Sequence, residues 1–195
     1  MAKNYKSFTG LTGFHYKVQD SDTVSEVERV EYLQEISVSK DQSIEKAYGD
    51  NKVAEMAVTH GTVELSSTFH KLPIEDRTAL FGLETTAEGA VGVGNNNPPY
   101  VGVMFSKTME DGSVEYVGLP RGLFTFPEVT GTTKQDSVEF SQDQSTGEFM
   151  QAEVPGFEKE QTMIMGHDEP GSTAMRDFIY NAVFGEAHPE AEAQA

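Results

Sequence analysis

The sequence predicts a mostly β protein, a β-sandwich or open barrel of antiparallel hairpins, with one short internal helix and one C-terminal helix on its flank. Three observations predict it. Apolar residues alternate with polar ones at period two in several runs, as in Val63, Leu65 and Phe69 against Thr62, Glu64, Ser66 and Thr68. Turn residues such as Asp111-Gly112 separate the runs at hairpin distance. A sustained 3.6-residue apolar period occurs near the C-terminal end, at Met175, Phe178, Ile179, Ala182 and Val183.

In chain order, residues 1–12 read as an N-terminal arm and residues 13–185 as a single β-rich domain, with a first short strand near Phe14–Val18. Residues 29–38 alternate, with Val30, Tyr32, Ile36 and Val38 on one parity and Arg29, Glu31, Glu35 and Ser37 on the other. This run and residues 62–69 flank a polar excursion over 40–61, in which Tyr48-Gly49-Asp50-Asn51 reads as a turn. A short helix is predicted from Pro73 to Phe81, because proline suits a first turn and Gly82 can close the last. Ile74, Leu80 and Phe81 are expected to face inward.

Residues 86–99 hold Gly89, Gly92, Gly94, Asn95-Asn96-Asn97 and Pro98-Pro99, a composition that belongs in a loop. A hairpin follows, with Val101, Val103 and Phe105 going out and Val114 and Tyr116 returning. Further strands are expected at 122–126, 137–142, 147–153 and 159–165. Ser172 or Thr173 can cap the last helix and Gly185 can end it. Residues 186–195 read as a disordered acidic tail.

At 195 residues the chain is long enough to bury a core without covalent staples. Its 37% hydrophobic content and mean hydropathy of −0.45 leave much polar surface, while twelve Phe and seven Tyr supply core material. The formal net charge is −18, with 14 Lys and Arg against 32 Asp and Glu. That balance disfavours stable nucleic-acid binding, which needs cations to replace phosphate counterions. Such acid can simply keep a surface soluble, or it can repel something anionic. The absence of cysteine excludes disulfides, thiol catalysis and Cys-ligated zinc. Met1 to Lys6 lacks the apolar run of a signal peptide and no stretch has the length to span a bilayer, so cytoplasmic synthesis without membrane insertion is expected.

A search for chemistry finds little. His15, His60, His70, His167 and His188 show no HExxH or HxH spacing, and an approach of His60 to His70 across a hairpin would be accidental. The Gly89–Gly94 run is followed by Asn-Asn-Asn-Pro-Pro rather than by a helix, so it fails the context a nucleotide loop requires. Asp20, Asp22 and Glu26 lack EF-hand spacing and read as a solvated charge run. There is no Gly-x-Ser-x-Gly elbow, and abundant carboxylates by themselves indicate no glycosidase pair. No catalytic residue, metal site or cofactor is therefore expected, and the chain does not read as an enzyme. The positive signals concern assembly: a sheet domain must protect its edges, and pairing them between identical copies is one way. The arm, the 40–61 excursion with Tyr48, Gly49, Asp50 and Asn51, and the loop with Asn95, Asn96 and Asn97 are the candidate inter-subunit segments.

Several segments, in order, resemble the major tail proteins that form the tail tube of long-tailed bacteriophages, typically of Gram-positive hosts. They are Gly10-Leu-Thr-Gly13 leading into Phe14-His15-Tyr16, Tyr48 to Asn51 followed by Lys52-Val-Ala, and the helix ending Ala79-Leu-Phe-Gly82. Pro98-Pro-Tyr-Val-Gly-Val, Leu123-Phe-Thr-Phe-Pro127 and Phe178 to Phe184 continue the likeness, which is dispersed over residues 8–185. The resemblance implies a tail-tube-like fold and a virion subunit, assembled in the host cytoplasm, that forms stacked sixfold rings. It also implies hairpins joining neighbours into an inner barrel, and partners among identical subunits, the tape-measure protein, the tail terminator and baseplate or tip proteins. DNA would pass through transiently without binding. On that reading 29–38 and 62–69 form a lumen hairpin whose wet face presents Glu31, Glu35, Glu64, Ser37, Ser66 and Thr68 to the DNA. Rival readings are a tube subunit of a contractile injection or secretion particle and a carbohydrate-binding or adhesion β-sandwich, the latter weakened by the absence of Trp.

Overall fold

A computed structural model describes residues 6–19, 25–129, 131, 133 and 142–192 of the chain. Its strands are β1 (Phe8–Val18), β2 (Glu28–Val30), β3 (Leu33–Gly49), β4 (Lys52–Phe69), β5 (Glu84–Thr85), β6 (Val91–Gly92), β7 (Val101–Met109), β8 (Val114–Thr125), β9 (Asp143–Phe149) and β10 (Ile164–Asp168). The helices are α1 (Ile74–Phe81), α2 (Ala174–Phe184) and α3 (Pro189–Glu192). Eight strands form one antiparallel sheet in the order β2-β1-β7-β8-β9-β4-β3, with β10 beside β8. The fold is mostly β, as the alternation predicts.

The sheet curls without closing. Its terminal strands β2 and β3 are joined by just Glu31 and Tyr32, yet they stand at opposite ends of the strand order. Phe14 of β1 meets Phe69 of β4 edge to face at 5.0 Å, bringing the two ends over one core. That core holds Phe14, Tyr16, Leu65, Phe69, Val103, Phe105, Leu119, Phe124 and Phe149, with Leu80 and Phe81 of α1 packed in. The Tyr16 hydroxyl donates to Asp76 of α1 at 2.7 Å. Burial and that bond hold the phenol far above its ordinary pKa. On the other face, Ile179, Tyr180, Val183 and Phe184 of α2 pack with Met104 and Ile164. Gly118 permits this approach: a Cβ there would stand 2.7 Å from Val183 and 2.8 Å from Ile179.

Several expectations are corrected. The run 29–38 is not one strand, because Tyr32 adopts φ 61 and turns the chain from one end of the sheet to the other. The Tyr32 carbonyl accepts the His70 N–H at 3.0 Å. The excursion 40–61 is strand almost throughout, since β3 and β4 run to a two-residue tip. Ile74 is 52% exposed rather than inward, while Leu80 and Phe81 are buried. In α2 the buried stripe is turned, so that Tyr180 and Phe184 are inside and Met175 and Phe178 lie out. Thr173 makes no side-chain cap and Ser172 Oγ accepts the Ala174 N–H at a long 3.5 Å; the buried Asp168 carboxylate is the closer acceptor, taking the N–H groups of Met175 and Arg176 at 3.0 Å each.

The strand expected at 122–126 is the end of β8, that at 147–153 is β9 shifted earlier, and that at 159–165 is β10 shifted later. Most of the strand expected at 137–142 lies outside the described residues, as do residues 1–5 of the arm, Asp20 and Asp22, and 193–195 of the tail. The arm's residues 8–12 belong to β1. Residues 186–192, expected as disordered tail, fold back on the body and end in α3. Gly82 and Gly185 end α1 and α2 in the left-handed conformation, as predicted.

A candidate assembly surface

β3 and β4 are the longest strands, and their pairing extends well beyond the body. β9 pairs with β4 from Phe69 to Val63 and no further, and the outer edge of β3 has no partner strand among the described residues. From Ser39 to Thr62 every residue is exposed. This part is a two-stranded ribbon, open on both edges and both faces. At about 3.3 Å per residue, its arm reaches on the order of 30 Å. Asp50 and Asn51 make the tip with φ 49 and 60, the two positive values that a two-residue hairpin turn demands.

The register shows what each face of the ribbon carries. Opposed residues in an antiparallel pair project to the same side, and successive residues alternate. From Glu35 onward the even positions of β3 pair as Ile36–Ser67, Val38–Leu65, Lys40–Val63, Gln42–His60, Ile44–Val58, Lys46–Met56 and Tyr48–Val53. Near the body this side is the core face, on which Val63 and Leu65 are fully buried. Past a β4 bulge near Gly61, the same side carries Ile44, Tyr48, Val53, Met56 and Val58, each 46–70% exposed. The ribbon thus prolongs the core face of the sheet into solvent with apolar side chains and nothing packed on them.

The odd positions form the other face. They pair as Glu35–Thr68, Ser37–Ser66, Ser39–Glu64, Ser43–Thr59, Glu45–Ala57 and Ala47–Glu55. β9 widens this face, with Glu148 directly opposite Glu64 and Thr146 opposite Ser66. The result is a hydroxyl-rich surface with Glu35, Glu64 and Glu148 at the root and Asp41, Glu45 and Glu55 further out. Among the described residues no cation forms an ion pair with Glu35, Glu64 or Glu148.

The predicted residues are distributed as follows. Glu35, Ser37, Glu64 and Ser66 share the acidic face. Thr68 has the same parity but is 8% exposed, beneath the point where the sheet curls. Glu31 precedes β3 and instead lines a cavity of about 740 Å3 with Arg29, Tyr32 and His70. Tyr48, Gly49, Asp50 and Asn51 form the ribbon tip. Asn96 fastens its loop to the end of α1, donating to Gly82 O at 2.9 Å and accepting from Gly94 N at 2.6 Å, and its neighbours Asn95 and Asn97 are exposed. His60 and His70 are not brought together: the first stands beside Gln42, the second against Tyr32. Glu148 and the apolar ribbon face were not singled out by sequence; the uniformly small or polar odd positions from Glu35 to Ala47 are the signal that points to the ribbon's faces, while Glu148 joins only through the β4–β9 register.

Among the described residues no group of three or more His, Asp or Glu is placed to hold a metal ion, and no helix is long and apolar enough to cross a membrane. The latter says nothing of strands that cross as a barrel. No curated protein matches the chain. A family model described as phage tail tube protein matches residues 39–190. That span begins where the exposed ribbon begins and includes the whole body from β4 to α2. The chain belongs to the phage tail tube protein family.

Proposed function

We propose that copies of this chain close through their ribbons into rings, sixfold in number, that stack as the hollow tube of a phage tail. Membership of the family makes the chain a structural component of the virion tail, one that associates with itself and with other tail proteins. One observation carries the finer reading: a 24-residue ribbon, Ser39 to Thr62, is open on both edges, apolar on one face and acidic on the other. A lone two-stranded ribbon is marginal in water, and open edges with apolar side chains invite pairing. Neighbouring ribbons laid edge to edge would complete the hydrogen bonds that each lacks. Their joined apolar faces would pack outward on subunit bodies, and full burial of an Ile, Val or Met side chain contributes about 1.5–3 kcal/mol.

The acidic face would then line the lumen. Lysine or arginine there would bind phosphate and hold DNA in the tube, whereas carboxylates and hydroxyls leave it hydrated and moving. Glu35, Ser37, Glu64 and Ser66, joined by Glu148, are the lumen residues on this reading; Glu31 and Thr68 stand at its margin. The tube would enclose the tape-measure protein during assembly in the host cytoplasm, and the terminator and tip proteins would hold its two ends.

Negative-stain microscopy of concentrated protein beside intact virions tests the assembly: rings or hollow tubes are expected, and Ile44→Asp with Met56→Asp should abolish them. Tubes that form equally well in that double variant would remove the ribbon from the mechanism. Separately, Glu35→Lys, Glu64→Lys and Glu148→Lys together should leave tubes intact and reduce genome delivery. Unchanged delivery would sink the lumen assignment while leaving assembly untouched.

A further inference from the structure

The apolar face of the ribbon carries a charge of its own. Beside Ile44, Tyr48, Met56 and Val58 it holds Lys40 and Lys46, and no carboxylate is among the residues paired on it. Glu45 and Glu55 stand on the other face. In a chain with 32 acidic residues against 14 Lys and Arg, a large exposed face that is apolar and cationic is an exception. Whatever covers it must offer apolar surface with negative charge at the rim.

The body presents such a surface where the loop 152–161 lies on α2. Ala152 and Gln161 exchange backbone hydrogen bonds at 3.1 and 2.9 Å and close the loop. Val154 turns inward and joins the cluster of Ile179 and Val183 beneath the helix. Phe157 turns outward. Gly156 brings the loop over the Phe178 ring, from which a Cβ on it would stand 3.5 Å. Met175 lies one turn before Phe178 on α2, and Phe157, Phe178 and Met175 are each 38–46% exposed. Loop and helix thus build one apolar strip. Glu153, Glu158 and Glu160 border a recess of about 470 Å3 in the loop, with Lys159 the one cation among the described residues that line it.

We infer that the ribbon of one copy lies across this strip of a neighbouring copy, with Ile44, Met56 and Val58 against Phe157 and Phe178 and with Lys46 among the loop glutamates. The contact rests on the ring reading above and names the part of the body on which the ribbon packs. Desolvated aromatic anchors supply most of the energy of such an interface, while charges at its rim select the partner and the register. The larger cavity beside Tyr32 fits less well. It too is partly apolar, but Arg29, Lys71 and Arg77 line it beside Glu31, Glu75 and Asp76, so the ribbon lysines would meet as many cations as carboxylates.

The chain has no cysteine, so pairs of introduced thiols report the contact directly. Tubes grown from Met56→Cys with Phe157→Cys, then oxidised, should run as a ladder of disulfide-linked subunits on a denaturing gel. Met56→Cys with Ile74→Cys, at the exposed position beside the larger cavity, should not. Phe157→Ser and Met56→Ser should each raise the protein concentration needed for tubes by about tenfold, the loss of one good anchor. The double variant should need no more protein than the worse single change, because one contact is lost only once. Urea unfolding of the free subunit should be unchanged in all three, since both side chains are exposed. Tubes from Phe157→Ser at the unmodified chain's concentration, additive losses in the double variant, or a Phe157→Cys pair that links no better than the Ile74→Cys pair would overturn the contact and leave the ring reading standing. An unmodified chain that forms neither rings nor tubes would take both away.

Discussion

The two halves of the β3–β4 hairpin are made of the same strands and have opposite physical circumstances. At the root, Val63, Leu65 and Phe69 are fully buried between two neighbouring strands and a helix. In the ribbon, Ile44, Met56 and Val58 occupy the same side of the same strands and are more than half exposed. The root therefore holds the subunit together, and the ribbon contributes almost nothing to it until something covers it. What differs is not residue type but what lies opposite.

Matched substitutions give that contrast its sharpest form. Phe69→Ala should destabilise the subunit by about 3–5 kcal/mol, the cost of a large cavity in a packed core, as read by urea unfolding. Asp168→Ala should cost about 2 kcal/mol by stripping the N–H groups of α2 of their acceptor; the same melts measure it, and assembly of whatever remains folded should be normal. Val58→Ala should shift subunit stability by less than about 0.5 kcal/mol, as for an exposed site, while lowering the yield of tubes seen by microscopy. A loss of several kcal/mol at Val58 would mean that the ribbon packs on the body in the free subunit.

Charge supplies two smaller effects. Subunits of net charge −18 repel one another, so tube formation should rise with salt as the Debye length shrinks from about 10 Å at 0.1 M; light scattering across a salt series would show it. At the root, burial pushes the Asp143 carboxyl up, but bonds from the Leu72 N–H and Arg77 outweigh it and hold the group below its ordinary 3.8. A depressed folded pKa means that stability is present above 3.8 and lost as pH falls through the lower folded value. Asp143→Asn should flatten the acid end of the stability profile by a small amount, and an NMR titration placing Asp143 at or above 3.8 would contradict the pairing.

The same contrast explains what the sequence shows and what it hides. Alternation is a record of burial on one side. It therefore reads cleanly in 62–69, where a core lies beneath, and at Val101, Val103 and Phe105, even though α2 covers Met104 on the other face of that strand. In the ribbon neither face is buried, Lys40, Gln42 and Lys46 interrupt the apolar parity, and the segment reads as a polar excursion although its turn residues are plain. The break at Tyr32 is unreadable for a different reason: nothing marks a tyrosine for positive φ, and the need for it comes from the two sheet ends meeting. The turned stripe of α2 reflects tertiary packing against Gly118, which outweighs the pattern of the helix alone. The acidic partner Glu148 is invisible because it joins Glu64 through a register that no local pattern encodes. The polarity of 186–192 conceals that the segment folds back onto Lys17 and Arg176.

Between Glu35 and Gly49, β3 keeps its parity without interruption. It works like a ratchet with two teeth per repeat. Deleting or inserting one residue before Ile44 would rotate everything beyond it by half a turn and show carboxylates where the next copy expects Ile and Tyr. Removing two would merely shorten the arm by about 7 Å. Changes of ribbon length that keep a tube subunit working should accordingly come in even steps along this strand, and tubes of different reach could descend from one another by such doublets.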